Sequence, residues 1–309
     1  MNKIIPFALA FVAFSAAAFS GDRRIAFERG TRESTRSVWI ANLDGTAAKR
    51  IAQGSWPDIS PDGTRLAFST DGELRTDQPP RPPRREIAVA DITTGKVTIL
   101  KEIPSNNCCV PVWSPDGSKL AFQILVDDQW HLGWVKADGS DFHLVKDVKR
   151  RTDNPSDDTI WMPAWASDGK SIFCHDMHTI YQIDLEGNVL KKWNLSELQN
   201  AGSLASDSRL SVSPNETKLL VSRPVKHTGK GLWVEQNGVF TFDLRTTTMT
   251  RVSSEADSVS DACWLTNHEF LCKAQKEREE RDGIYRMSID GKNLKRLIKN
   301  GRFPSVSAP

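Results

Sequence analysis

The chain has 309 residues, of which 39% are hydrophobic and 26% charged, so it carries enough apolar side chains for a folded core. Lysine and arginine total 41 against 39 aspartate and glutamate, a net charge of +2. This balance, without a long block of like charges, argues against nucleic acid and against an anionic membrane surface as partners.

The first 20 residues have the composition of a secretory signal peptide. An apolar run over residues 4–19 follows a single lysine and ends in small residues, which is the pattern that signal peptidase recognises. The run is short for a membrane-spanning helix, and no later stretch is long enough for one. We therefore expect a mature chain, residues 21–309, that is periplasmic or secreted and has no membrane span. An uncleaved anchor is the alternative.

A short motif recurs along the mature chain. Residues 56–68 read WPDISPDGTRLAF and residues 110–122 read VPVWSPDGSKLAF, with weaker copies beginning near residues 162, 210 and 262. Each copy predicts two short antiparallel strands, because β-forming residues flank a turn in which glycine supplies a positive φ. A second hairpin follows each copy. The repeating unit is therefore four antiparallel strands, which predicts a β-propeller.

The two ends of the mature chain complete each other. Residues 303–308 match the innermost strand of a repeat, and residues 24–28 match its second strand. We predict an all-β fold, a six-bladed β-propeller of four-stranded antiparallel blades, in which the last blade is closed by both the N-terminal and the C-terminal strands. About 48 residues per blade is within the range of propeller repeats.

The predicted inner strands place small residues beside large ones. We expect the large side chain of one blade to press against the smaller side chain of the next, which would pack the blades densely around the axis. The inner-strand tryptophans Trp113, Trp165 and Trp264 are then predicted to belong to the core.

The repeat PVWSPDGSKLAF at residues 111–122, its copies, and the closing RFPSVS at residues 302–307 resemble the WD-like repeat of TolB-type propellers. The resemblance covers essentially the whole mature chain. It implies a noncatalytic scaffold of the cell envelope that binds a protein partner, such as an envelope lipoprotein. The signal peptide leads directly into a propeller strand, so we expect no additional N-terminal domain of the kind that TolB carries.

One face of the predicted propeller is expected to carry the site. Loops between the second and third strands and between blades emerge there, around the channel, and we call it the ligand face. The long predicted loops on this face are residues 28–37, 70–85, 147–161, 196–208, 223–237 and 273–282. Within them, residues 78–85 read QPPRPPRR, a stiff cationic stretch that is either an arm for a partner or an exposed loop.

Six polar residues fall at the exits of the second strands. They are Glu28, Ser69, Gln123, His175, Ser222 and Lys273. We predict that they form a polar ring near the channel mouth where a ligand binds. The alternative is that they only satisfy hydrogen bonds at strand ends, and both interpretations stay open.

Four histidines map to the ligand-face ends of consecutive blades. They are His131, His175, His178 and His227. Together with Asp127, Asp128 or Asp176 they are candidate ligands for a divalent metal. The alternative is that they are ordinary polar residues at strand ends, because their spacing is not diagnostic of a metal site.

Five cysteines in an oxidising compartment leave an odd number. Cys174 and Cys272 replace an aromatic residue of the second strand, so we predict buried thiols. Cys108 and Cys109 are adjacent in a predicted ligand-face loop. For these two a vicinal disulfide, a bridge to another loop and free thiols all stay open, and the state of Cys263 is equally open.

No catalytic motif is present in the sequence. It contains no Gly-x-Ser-x-Gly, no His-Glu-x-x-His and no phosphate-binding glycine-rich loop. We therefore expect a noncatalytic, monomeric binding module whose ligand-face loops hold a protein partner, with no cofactor assigned beyond a possible divalent metal. The alternative is a propeller enzyme, a metal-assisted lyase or hydrolase acting on polysaccharide or peptide, with His175 and His178 central.

Overall fold

The computed structural model describes residues 23–30, 36–70, 84–105, 107–145, 159–199, 202–225, 236–276 and 283–308. In these ranges the regular structure consists of 24 β-strands and one turn of 3₁₀ helix at Leu195–Glu197. The strands form six four-stranded antiparallel sheets, which are the six predicted blades. The predicted signal peptide lies outside the described residues. Within them, no helix is long and apolar enough to cross a membrane.

The blades follow one another along the chain, and each is written here from its inner to its outer strand. Blade 1 is β24 (Arg302–Val306), β1 (Arg24–Arg29), β2 (Ser37–Asn42) and β3 (Lys49–Gln53). Blade 2 is β4 (Ser55–Ile59), β5 (Arg65–Ser69), β6 (Ile87–Asp91) and β7 (Val97–Ile99). Blade 3 is β8 (Cys108–Trp113), β9 (Lys119–Val126), β10 (Gln129–Lys136) and β11 (His143–Val145).

The remaining three blades repeat this order. Blade 4 is β12 (Trp161–Trp165), β13 (Ser171–His175), β14 (Thr179–Asp184) and β15 (Val189–Asn194). Blade 5 is β16 (Leu210–Val212), β17 (Lys218–Val225), β18 (Gln236–Asp243) and β19 (Met249–Arg251). Blade 6 is β20 (Asp257–Trp264), β21 (Glu269–Lys276), β22 (Gly283–Ser288) and β23 (Lys295–Lys299).

Both ends of the chain close blade 1, as predicted. Strand β1 pairs with β2 on its outer side and with β24 on its inner side. The guanidinium of Arg23 strengthens this closure, because its Nε donates to the carbonyl of Ser307 over 3.2 Å and its Nη1 to the carbonyl of Leu265 over 3.0 Å. Arg23, the first described residue, therefore links the N-terminal end of blade 1 to the C-terminal end of the same blade and to blade 6.

The core is divided among the six interfaces between blades. Six clusters of buried apolar side chains are present in the described residues, one between each pair of neighbouring blades. The second strands supply fully buried aromatic rings to these clusters, for example Phe27, Phe68 and Phe122. Burial of one such side chain contributes about 1.5–3 kcal/mol. The blades are thus held together by stacking rather than by shared strands.

The inner-strand tryptophans are buried, as predicted, with 6–7% of each side chain exposed. Each indole N–H donates over 3.1 Å to a backbone carbonyl of the preceding blade: Trp113 to Asp58, Trp165 to Val112, and Trp264 to Ser211. The large residue therefore packs on the small residue of the preceding blade. The predicted direction, towards the next blade, was wrong. The hydrogen bond from each indole to a backbone carbonyl of the preceding blade fixes this direction.

Candidate functional site at the mouth of the central channel

Five of the six inner strands contain a residue other than glycine in the left-handed backbone conformation. Their φ values lie between 49° and 56°, and they are Trp56, Val110, Met162, Asp261 and Phe303. Each lies at a bulge, where the pairing register of the inner strand shifts. A residue with a side chain loses about 1–3 kcal/mol in this conformation. Because this unfavourable conformation recurs in five blades around the channel, we infer that contacts between the packed blades hold it in place.

Blade 5 has Arg209 at the equivalent position, immediately before β16. The Nη1 of Arg209 donates to the carbonyl of Pro304 in blade 1. Because blades 5 and 1 are separated by blade 6, this guanidinium reaches over the inner edge of the ring rather than to its neighbour. We call the six residues Trp56, Val110, Met162, Arg209, Asp261 and Phe303 the channel mouth.

An apolar pocket opens at the channel mouth. Its walls are the side chains of Trp56, Val110, Met162 and Phe303 together with the prolines that follow three of the left-handed residues. Two charged residues, Asp58 and Arg209, also line it. The left-handed backbone conformations therefore coincide with the apolar wall of this cavity.

A second, polar pocket is also lined by Phe303. Its charged lining residues are Asp207, Asp261, Lys273 and Arg302. The Oδ2 of Asp261 accepts from the backbone N–H of Phe303 over 3.5 Å. Since Phe303 lines both cavities, the mouth presents an apolar cavity and a charged one side by side.

Asp58 carries a perturbed carboxylate deep in the channel. Its Oδ2 accepts from the backbone N–H of Trp113 over 2.8 Å. Burial raises the pKa of Asp58 to about 6, although Arg209, Trp113 and the hydroxyl of Ser305 act in the opposite direction. Burial likewise raises the pKa of Asp261, opposed by Lys273 and Arg209. Burial thus disfavours the ionised form of both carboxylates, and the guanidinium of Arg209 acts on both in the opposite direction.

Four residues of the predicted polar ring tie their blade to the start of the next inner strand. The bonds are Trp56 N–H to Glu28 Oε2 at 3.1 Å, Gln123 Nε2 to the Ile160 carbonyl at 3.3 Å, His175 Nε2 to the Ser208 carbonyl at 2.8 Å, and Ala262 N–H to Ser222 Oγ at 3.3 Å. All four side chains are buried. This geometry is that of strand-end hydrogen bonding, the second of the two interpretations of the ring.

The other two ring residues differ from these four. The hydroxyl of Ser69 is buried and has no hydrogen-bond partner within the described chain. Lys273 is half-buried and lines the polar pocket. A direct role of the ring in ligand binding stays a prediction. Two of its members, Ser222 and Lys273, line the polar pocket.

The ring of His175 uses both of its nitrogens. Nδ1 accepts from the backbone N–H of Met177 over 3.2 Å, so Nε2 carries the proton and donates to Ser208. Burial lowers the pKa of His175 to about 4, which keeps the imidazole neutral. A metal could reach this ring only by replacing one of these bonds.

The candidate metal ligands are dispersed. His131 lies within β10 and His178 just before β14, and the backbone N–H of His178 donates to Asp176. The described part of the chain contains no group of three or more His, Cys, Asp or Glu side chains placed to hold a metal ion. His227 lies outside the described residues, so the four-histidine site stays a prediction.

All five cysteines are buried and form no disulfide bond. Cys108 and Cys109 begin strand β8 and are not part of a loop, so their predicted location was wrong. Burial raises the pKa of each to about 12, with the neighbouring charge of Cys109 adding to the effect at Cys108 and Arg85 opposing it at Cys109. The aromatic-position thiols Cys174 and Cys272 are buried as predicted.

The sequence reasoning missed Arg209 and Asp58, the charged residues of the apolar pocket. A signal was available for Arg209, because proline follows the mouth residue in four of the six copies, and the other two have a charged mouth residue, Arg209 and Asp261. Asp58 stands at a position where the other five copies have an uncharged residue. An exception at an otherwise apolar repeat position indicates a role other than packing. The bulges themselves have no such signal, since they depend on contacts between blades.

Comparisons with known proteins agree on the fold. The TolB beta propeller domain family matches residues 15–308. TolB from Acinetobacter baumannii is 18% identical with a TM-score of 0.62, over 94% of this chain and 68% of that one. A putative TolB from Agrobacterium tumefaciens is 15% identical with a TM-score of 0.61, over 91% and 92% of the two chains.

An enzyme is also similar in structure. A puromycin-hydrolyzing peptidase from Mycobacterium tuberculosis is 16% identical with a TM-score of 0.53, over 89% of this chain but only 45% of the peptidase. No curated protein matches the chain in sequence. At these identities the solved structures show a common fold and no more.

Proposed function

The chain belongs to the TolB beta propeller domain family, and on that premise we propose that it is a noncatalytic scaffold that binds a protein partner at the channel mouth. The observation that carries the proposal is the pair of adjoining cavities, one apolar and one charged, that share Phe303. Protein interfaces combine a buried apolar centre with a polar rim in the same way.

The aromatic residues of the mouth have the properties of interface anchors. Trp56 and Phe303 meet edge to face with ring centroids 6.2 Å apart. The guanidinium groups of Arg36 and Arg85 lie 6.0 Å and 5.3 Å from the Trp56 ring. These contacts hold the indole in position before a partner arrives, which lowers the ordering entropy lost on binding. A rigid, half-buried tryptophan beside an apolar cavity is typical of a binding hot spot.

We infer a location in the periplasm or outside the cell from the apolar leader at residues 4–19. The partner that the family resemblance favours is an envelope lipoprotein, bound by a monomeric propeller. An enzymatic function, as a metal-assisted lyase or hydrolase, has less support, because His175 already uses both ring nitrogens within the fold.

The experiment is capture of envelope proteins by wild-type chain and by mouth variants. Trp56→Ala and Phe303→Ala remove the two aromatic anchors. Leu190→Ala is the matched control, because Leu190 is 53% exposed on the outer strand of blade 4, away from the mouth. A protein captured by the wild type and by the control, but lost with both mouth variants, is then purified and its Kd is measured directly.

We expect each mouth variant to weaken the measured Kd by about 30-fold, the size of a hot-spot truncation. Circular dichroism must show that the variants keep the propeller fold. Lys273→Glu tests the polar pocket separately, since this residue is half-buried and its substitution leaves the apolar core intact. Equal affinity of the wild type, the control, both mouth variants and Lys273→Glu would mean that the partner binds elsewhere.

A further inference from the structure

The outer strands of the six blades carry cations and no carboxylates. All six strands lie in the described part of the chain, and together they contain eight Lys or Arg residues and no Asp or Glu. Charged side chains on an edge strand discourage pairing with another chain. That requirement accounts for the presence of charge, but either sign would serve, and it does not account for an uneven distribution.

Five of the eight cations lie on two neighbouring blades. Strand β23 of blade 6 contributes Lys295, Arg296 and Lys299, and strand β3 of blade 1 contributes Lys49 and Arg50. All five are exposed. Strands β7 and β11, on blades 2 and 3, contain none. The cations are therefore concentrated where the first and last blades meet.

The two strands form one continuous surface. The turn between β2 and β3 packs against the middle of β23, because a Cβ built on Gly45 would lie 2.3 Å from the carbonyl oxygen of Leu297. The cations on either side of this contact, with the exposed lysine that precedes β23, form what we call the basic edge. Its members are Lys49, Arg50, Lys292, Lys295, Arg296 and Lys299.

Among the described residues, two carboxylates lie beside the basic edge, Asp44 and Asp290. Hydrogen bonds from Thr46 lower the pKa of Asp44, so it is ionised at neutral pH. Asp290 lies 3.7 Å from the ammonium group of Lys292. On this surface six described cations thus stand against two described carboxylates. The basic edge is therefore a local concentration of positive charge in a chain whose total charge is nearly neutral.

We propose that the basic edge docks the propeller on an anionic phospholipid surface. The cations are spread along two exposed strands, which matches the diffuse charge of a headgroup layer better than a single bound anion. Four of the six are lysines, whose flexible, point-like ammonium groups suit such a layer. Because the edge forms the side of the propeller, the channel mouth stays open to a protein partner while the edge is docked.

The test is co-sedimentation of the full chain with vesicles of phosphatidylcholine and phosphatidylglycerol in a 3:1 ratio at low salt. Vesicles of pure phosphatidylcholine measure any charge-independent binding through the apolar leader. The test variant is Lys295→Glu/Lys299→Glu. The matched control is Lys191→Glu/Lys192→Glu, which reverses two exposed lysines on β15 of blade 4, across the ring, with the same change in net charge.

Each cation near an anionic membrane contributes about fivefold to partitioning. We therefore expect the test variant to bind the phosphatidylglycerol vesicles at least about 25-fold more weakly than the wild type, and the control to stay within about threefold. High salt should release the wild type. Equal losses in both variants would overturn the proposal, as would wild-type binding that is the same with and without phosphatidylglycerol. Failure to bind vesicles together with tight binding to polyglutamate would also overturn it, in favour of an acidic protein.

Discussion

Replacing the channel carboxylate by a neutral isostere is expected to stabilise the protein at neutral pH. Asp58→Asn keeps an oxygen that can accept from the backbone N–H of Trp113, and its amide can donate to the hydroxyl of Ser305. The substitution removes the negative charge that burial disfavours. Arg209 keeps its bond to the Pro304 carbonyl. The change therefore isolates the cost of holding an ionised carboxylate in the channel.

The size and sign of the effect follow from the pKa of Asp58. Burial raises it from an ordinary value of 3.8 to about 6, so between these pH values the folded protein holds a proton that the unfolded chain has released. The contribution of this group to stability therefore falls as the pH rises through that window and is constant above it. A difference of about 2 pH units corresponds to at most about 3 kcal/mol, since the side chain is partly open to the channel.

The assay is urea unfolding of wild type and Asp58→Asn at several pH values from 4 to 7.5. The unfolding free energy of the variant, relative to the wild type, should rise by up to about 3 kcal/mol over this range. His175 acts in the opposite sense, because burial lowers its pKa to about 4, but it is present in both proteins and cancels.

The matched control is Asp62→Asn at a turn on the opposite face. Burial acts to raise the pKa of Asp62, but hydrogen bonds from Ser60 and Thr64 prevail and lower it. Asp62 is therefore ionised in both states over most of the assayed range, and the gap between this control and the wild type should be nearly flat. If the gap for Asp58→Asn is also flat, or shrinks as the pH rises, attraction to Arg209 outweighs burial and the reasoning is refuted.

Two further predictions concern packing. Burial raises the pKa of Cys109 to about 12 and of Cys263 to about 11, so native protein at pH 8 should react slowly with a thiol reagent and show five thiols once unfolded; a fast-reacting thiol in the native state would contradict this. Gly45→Ala should lower the unfolding free energy by well over 1 kcal/mol, because its Cβ would overlap the Leu297 carbonyl. Gly95→Ala, at a similar φ in open space, should cost only about 1 kcal/mol, and equal losses in urea unfolding would count against a steric cause.

The architecture could be predicted because it repeats. Six imperfect copies of one hairpin pattern fix the number of blades, and the incomplete copies at the two ends fix how the ring closes. Burial of Trp113 followed from its repeat position, but its packing direction did not, because that depends on a hydrogen bond to a backbone carbonyl of the preceding blade. Cys108 was placed in a loop for a related reason, since the start of β8 lies before a bulge that no sequence period reveals.

The candidate site was harder to predict than the fold, because it consists of departures from the repeat. The polar ring was recognised by a shared position, and shared positions in a propeller serve the contacts that every blade needs. His175, the sharpest histidine signal, turned out to bridge blades 4 and 5. Arg209 and Asp58 break the pattern of their neighbours instead, and they line a cavity. We therefore place the proposed binding site at these exceptions to the repeat, while a direct role of the polar ring stays a prediction.

The total charge of the chain does not describe how charge is distributed over its surface, for a physical reason. Many of the aspartates are committed to turns, where a carboxylate accepts from backbone N–H groups two or three residues ahead, as Asp62, Asp116 and Asp138 do. Turn geometry therefore fixes these negative charges at the face of the propeller opposite the ligand face. The outer strands form no such turns, and the charged residues of β3, β15 and β23 are all lysine or arginine. A chain whose total charge is nearly neutral can consequently have a cationic side surface. The proposed docking on a membrane depends on this separation of the acidic turns from the cationic outer strands.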